Sequence, residues 1–156
     1  MLTYSELATK LIPYVMNMCY THVELLPITE HPFDGSWGYQ TTGYFAVTRR
    51  HGSPEDFMAF VDTAHQAGIG VLMDWTPAHF PDDPHVLAQF DGTHLYYHAD
   101  PSLAYHPDCH SRIFTSDHVE ARNSLLNSVP LWLHRHQIDG LRWYAPRPIP
   151  YHDARL

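Results

Sequence analysis

Three times along this chain a helical pattern of apolar residues is followed within a few positions by a short apolar run, and this order constrains the fold more than any other feature. Thr3 and Glu6 make a capping-box signature, after which Tyr4, Leu7, Ala8, Leu11, Val15 and Met18 recur at helical spacing. Pro13 is expected to kink or split that helix, because proline has no amide to donate and crowds the preceding turn. Thr21 to Ile28 then reads as a buried strand, and Gly43 to Thr48 as a short extended piece. The second unit opens at Ser53, Pro54, Glu55 and Asp56, an N-cap serine, a first-turn proline and acids that complement the helix dipole. Phe57, Phe60, Val61 and Ala64 predict its buried stripe, Gly68 its stop, and Ile69 to Trp75 the second strand.

Thr76 to Ser116 shows no sustained period, but Phe80, Phe90, Tyr96, Tyr97, Tyr105 and Phe114 predict an ordered excursion rather than disorder. The third unit runs from His118 to Gln137, through Val119, Arg122, Leu126, Val129 and Leu133, into a strand at Ile138 to Ala145. Pro130 sits inside that helix at a cost of about 3 kcal/mol. Repeated helix-to-strand order requires parallel strands joined by right-handed crossovers, which is the α/β class. The length fits one domain, with residues 1–145 as its body and 146–156 as a proline- and arginine-rich tail without a defensible element.

Loops that leave the C-terminal ends of such strands share one edge of the sheet, where α/β proteins bind ligands. Glu30 to Gln40, Asp74 to Phe80 and the end of the third strand converge there. Phe33, Trp37 and Tyr39 in the first of these loops have two readings, as anchors of a long loop or as a binding face. Asp74 and His79 are ionisable groups at that edge, and Arg142 can hold a carboxylate bidentately, as part of a site or as a structural ion pair. Glu24 and Asp139 are read as solvated or structural, since neither is at the C-terminal end of a strand.

Several classes of function are disfavoured. A formal charge of -8 opposes a phosphate-backbone partner, so no nucleic acid is expected, and neutral, hydroxyl-rich ligands remain open. No apolar run approaches the roughly 18 residues of a membrane span, and the N-terminus lacks the pattern of a signal peptide. Cys19 and Cys109 have no disulfide or zinc-knuckle spacing, which makes a reducing, cytoplasmic setting the default. The fourteen histidines make charge depend on pH between about 5 and 8. His94 with His98, and His106, Asp108 and His110, lack a helix or hairpin to preorganise them, so no metal site is expected. Neither a serine-nucleophile motif nor a glycine-rich phosphate loop occurs, and no cofactor is expected.

The segment THVELLPITEHPFDGSWGYQTTGYFAVTRRHGSPEDFMAFVDTAHQAGIGVLMDWTPAHFP, extended by FDGTHLYYHADP and IDGLR, resembles the 1,4-α-glucan (glycogen) branching enzymes of the α-amylase superfamily. The likeness runs from Tyr4 to about Arg142, and EHPFDGSWGYQ is its most specific part. It implies a partial (β/α)8 TIM barrel, about the second to fourth strands with the first to third helices. In the family that barrel cleaves an α-1,4 glucan and transfers it to a 6-hydroxyl in glycogen biosynthesis, using two carboxyl groups about 5 to 5.5 Å apart. On this resemblance Tyr39 packs on the sugar, His79 binds a sugar hydroxyl, Asp74 organises the site and Arg142 orients the nucleophile.

Two departures limit the implied chemistry. Tyr144 stands where the family has its nucleophilic aspartate, and the acid/base glutamate and a later His-Asp motif fall beyond Leu156. The expectation is a truncated or degenerate piece of a glycosyltransferase, inactive alone, whose partner is an α-glucan such as glycogen, amylose or a maltooligosaccharide. Ala145, Tyr151 and Asp153 align with common family residues without a gap, which favours substitution over a frame change. The alternatives are a non-catalytic glucan-binding or remnant fragment, with Trp37 supporting Tyr39, or a related hydrolase such as the one that releases trehalose from maltooligosyl-trehalose. An open three-stranded sheet is expected to expose an apolar face and unpaired edges, and so to self-associate.

Overall fold

The computed structural model describes residues 1–106, 111–115 and 117–144. Helix α1 (Tyr4–Asn17) begins at the expected capping box, in which Thr3 and Glu6 hydrogen-bond each other's backbone amides. It passes through Pro13 as one continuous helix, so the expected split does not occur. Pro13 and Thr9, whose carbonyl loses its amide partner, both lie on the exposed side, where water replaces the bond.

After α1 come β1 (His22–Leu25), β2 (Thr29–Glu30) and β3 (Gly43–Val47). The long strand expected from Thr21 to Ile28 is therefore divided: β1 joins the main sheet and β2 turns away to pair antiparallel with β3. Pro27, between them, has no amide for a ladder. Nor is β1 buried throughout, since His22 and Glu24 are exposed and Val23 is buried.

Helix α2 (Pro54–Gln66) forms as its local signals predict, with a Ser53–Asp56 capping box and with Phe57, Phe60, Val61 and Ala64 all buried. Gly68, at φ 73°, takes the left-handed conformation that ends it. Strand β4 (Gly70–Trp75) follows. The segment expected to be an ordered excursion holds β5 (His79–Pro81), α3 (Pro101–Ala104), β6 (Tyr105–His106) and β7 (Ser111–Ile113). These strands form a small antiparallel sheet, β5-β7-β6, over a second core of Phe80, Ala88, Tyr97 and Ala104.

Helix α4 (Val119–Pro130) ends at Pro130, where the chain widens into a π-helical turn, Leu131–Arg135. The proline deprives the Leu126 carbonyl of its partner, and the wider turn lets the helix continue past it. The expected apolar stripe holds in part: Val129 and Leu133 pack against the principal core, whereas Val119 and Leu126 are exposed and the fully buried positions are Ala121, Ser128 and Trp132. Small residues bring α4 close enough for the Trp75 indole N–H to donate to Ser128 Oγ at 3.2 Å, and Trp132 Nε1–H donates to the Tyr44 carbonyl at 2.9 Å.

Strand β8 (Gly140–Trp143) completes a parallel sheet of order β1-β4-β8. One face packs Val71, Met73 and Trp75 with the stripes of α1, α2 and α4 in the principal core. The register sets Glu24 beside Leu72 and Asp74 beside Arg142 on the other face. That face is thus largely charged, not apolar as expected. Exposed large apolar residues include Trp143 on the edge strand β8, Tyr14 and Met16 on α1, and Met18 and Tyr20 just after it. Ala145 and the expected tail, like Cys109, Asp108 and His110, lie outside the described residues.

Candidate functional site

Asp74 is the centre of the site. It is one residue from the C-terminal end of the central strand and only 1% exposed, on the face away from the helices. Its Oδ2 accepts two hydrogen bonds, from Tyr39 Oη at 2.5 Å and from Arg142 Nη1 at 2.6 Å. Oδ1 is buried and has no hydrogen-bond partner among the described residues. Parallel pairing puts Arg142 directly beside Asp74, so the ion pair follows from register alone. The expected bidentate grip does not form, because the guanidinium is shared and its Nε faces Glu24 Oε1 at 3.7 Å. Glu24 is thus a member of the cluster that sequence reasoning set aside. Its signal was the period of two that puts it on the Asp74 face of the sheet.

Tyr39 reaches Asp74 because the preceding chain folds sharply back. Trp37 lies in the left-handed region at φ 54°, and Gly38 follows at φ 89°. A Cβ on Gly38 would lie 2.1 Å from the Pro27 carbonyl oxygen, so glycine is required there. The far side of the loop is tied by Arg50, which binds Glu30 Oε1 at 2.7 Å and also pairs with Asp34. These polar ties, not its aromatics, hold the loop: Phe33 is 60% and Trp37 70% exposed. Trp37 therefore does not act as the expected support of Tyr39.

His79 is buried at the start of β5. Tyr44 Oη donates to both the Thr76 carbonyl at 3.0 Å and the His79 carbonyl at 2.8 Å, which fixes the strand end that presents Asp74 and His79. Thr41 Oγ1, hydrogen-bonded to Thr76 Oγ1 at 3.1 Å and Thr29 Oγ1 at 2.9 Å, links the same turn to the Tyr39 loop. Tyr144 completes the group. Its amide donates to the Trp75 carbonyl at 2.9 Å, and its ring lies 4.5 Å from Tyr39 and 6.4 Å from His79.

Of the four residues singled out at the sheet edge, Tyr39, Asp74 and Arg142 are joined by hydrogen bonds, and His79 borders them across the Tyr144 ring. Burial, then the Asp74 carboxylate, raise the Tyr39 phenol above its ordinary pKa of 10, which keeps it a donor. The Arg142 guanidinium is raised as well, first by Tyr39 and then by the charge of Asp74. Such an array, one buried carboxylate with a spare acceptor beside aromatic faces and a cation, suits a neutral polyhydroxylated ligand. Asp139 is structural, as expected, accepting from Val71 N at 2.7 Å and pairing with His65 at 2.9 Å. His94 packs on Tyr97, and His98 lies 3.4 Å from Thr115 Oγ1. No group of three or more metal-ligating side chains occurs among the described residues.

Residues 7–94 match the model of the alpha amylase catalytic domain. The chain is 57% identical over 152 residues to the 1,4-alpha-glucan branching enzyme GlgB of Thermosynechococcus vestitus, covering 97% of this chain and 20% of that one. With the GlgB branching enzyme of Nitrosomonas europaea it shares 61% over 149 residues, 96% of this chain and 20% of that one. It thus spans about a fifth of the length of these relatives. Among solved structures, a maltogenic alpha-amylase from Thermotoga neapolitana superposes with a TM-score of 0.76 at 21% identity, over 94% of this chain and 36% of that protein. Parallel sheet and sequence similarity agree, and the chain belongs to the alpha-amylase catalytic-domain family, as a partial α/β barrel.

Proposed function

We propose that Tyr39, Asp74, His79 and Arg142 form a recognition site for an α-1,4-linked glucan, inherited from the catalytic barrel of a 1,4-alpha-glucan branching enzyme, and that this chain alone performs no transfer. The observation that carries the reading is the state of the carboxylate. Asp74 Oδ2 is held by a phenol and a guanidinium at 2.5 and 2.6 Å, which suits an organiser of the site, while its free Oδ1 suits a sugar hydroxyl. Retaining transfer needs two carboxyl groups besides this organiser, one as nucleophile and one as acid/base. On the family resemblance the nucleophile's position is taken by Tyr144, whose phenol is no substitute. Tyr39 supplies an aromatic face for a pyranose and His79 a ring for a hydroxyl.

The ligand is glycogen, amylose or a maltooligosaccharide, met in a reducing, cytoplasmic setting. A formal charge of -8 speaks against nucleic acid, and no described helix is long and apolar enough to cross a membrane. Residues 1–145 form the glucan-related body and 146–156 a tail. Self-association proceeds through the apolar patch of Tyr14, Met16, Met18 and Tyr20. Titration with maltoheptaose, followed by tryptophan fluorescence, tests the binding claim: a saturable change lost in Asp74→Ala is expected, and no saturable change refutes it. Iodine staining of amylose tests the second claim, and transfer by the purified chain refutes it. Light scattering that shows a monomer at all concentrations removes the self-association claim.

A further inference from the structure

The geometry points to Tyr144 as a built-in occupant of the site, an aromatic plug that must swing away before a sugar ring can lie on Tyr39. This rests on the glucan reading above and adds to it a residue that sets affinity. The Tyr144 ring contacts three of the four site residues: its centroid is 4.5 Å from that of Tyr39, 6.4 Å from that of His79 and 6.0 Å from Arg142 Cζ. A pyranose stacking on Tyr39 needs heavy-atom contact with the ring, at about 3.5–4.0 Å. With the two rings tilted by 48° at 4.5 Å, the phenol of Tyr144 takes that volume.

Two further features fit a plug that is mobile at the side chain and fixed at the backbone. The Tyr144 amide donates to the Trp75 carbonyl at 2.9 Å, so withdrawal of the ring requires side-chain rotation and leaves the strand end in place. Beneath the cluster, Asp74 Oδ1 is reached by neither solvent nor a described partner. A buried carboxylate oxygen without a donor is an unfavourable arrangement, relieved when a hydroxyl enters. On the family resemblance, tyrosine in place of the nucleophilic aspartate therefore does more than remove a nucleophile. It adds a ring that competes with the ligand.

The test compares the wild type with Tyr144→Ala, Tyr144→Leu and Tyr144→Phe in maltoheptaose titrations. An aromatic pair contact of ordinary strength corresponds to a gain of about twofold to tenfold in affinity on opening. That gain is expected for the alanine and leucine variants, which also guard against one of them failing to fold. Tyr144→Phe, which keeps the ring, should stay within about twofold of the wild type. A sugar-free readout runs in parallel: nitration of Tyr39 by tetranitromethane, quantified by peptide mass spectrometry, should increase in the two opened variants and not in Tyr144→Phe. Unchanged Tyr39 nitration on opening overturns the plug. Increased nitration with equal or weaker maltoheptaose binding than wild type overturns its control of affinity and leaves the glucan reading intact. Increased nitration with no binding by any variant overturns the glucan reading and the role assigned here together.

Discussion

Replacing Tyr39 with phenylalanine removes one oxygen atom and tests the central contact of the site. Asp74 is 1% exposed, its Oδ2 takes donors only from Tyr39 and Arg142 among the described residues, and Oδ1 has none. In Tyr39→Phe the carboxylate keeps a single donor, Arg142, among the described residues. A hydrogen bond to a charged group contributes about 1.5–3 kcal/mol, and the retained ring keeps packing loss small, so a destabilisation of about 2 kcal/mol is expected. For a chain of this size that corresponds to a fall in Tm of roughly 4–8 °C. Urea unfolding at pH 7, followed by tryptophan fluorescence, should show a lower midpoint with an unchanged m-value. A cycle with Asp74→Ala should give a coupling of at least about 1 kcal/mol, because the two side chains share one bond. A loss below about 0.5 kcal/mol, or strict additivity, would refute the reasoning, since solvent would then serve Asp74 as well as Tyr39 does.

Three other perturbations probe what holds the site in place. Gly38→Ala forces a Cβ to within 2.1 Å of the Pro27 carbonyl at a positive φ, and a cost of about 1–3 kcal/mol with weaker maltoheptaose binding is expected; a neutral result in urea unfolding would show that the loop relaxes freely. Trp132→Phe deprives the Tyr44 carbonyl of its indole donor and leaves a gap, so stability should fall by about 2–4 kcal/mol, and a loss under 1 kcal/mol would count against that bond. His136 is buried against Phe57 and Trp132, and burial, then the charge of Arg135, lower its pKa from the ordinary 6.5. Its neutral form is therefore favoured in the folded state, and its contribution is present above pH 6.5 and lost as pH falls below that value. The stability difference between His136→Phe and wild type should shift in favour of the variant between pH 7.5 and about pH 5. A pH-independent difference would refute the assignment.

Local chemistry determined much of this chain. The Ser53–Asp56 capping box, the stripe from Phe57 to Ala64 and the Gly68 stop were legible because each is a contact within one or two turns, and α2 forms as they specify. The order of helices and strands was legible for the same reason, and with right-handed connection it required a parallel sheet whose strand ends meet at one edge. Of the residues named at that edge, Tyr39, Asp74 and Arg142 meet there directly and His79 lies across Tyr144 from them.

Tertiary structure decided the remainder. The sheet β5-β7-β6 has strands of two or three residues, too short for any period to register. In α4 the fully buried positions Ala121 and Ser128 are small, so the large apolar residues of the expected stripe mark the buried face only at Val129 and, in the turn beyond, Leu133, and docking against Trp75 sets the rest. Pro13 and the Thr9 carbonyl it leaves unpaired lie on the exposed side of α1, which a sequence does not state. Glu24 entered the cluster through strand register, and Tyr144 came to lie on Tyr39 through the joint placement of a loop and a strand end far apart in the chain. Residue type and spacing specify which groups can meet, because their preferences act over a few bonds. Which of them do meet, and what then fills the space between them, depends on packing among elements that no local preference encodes.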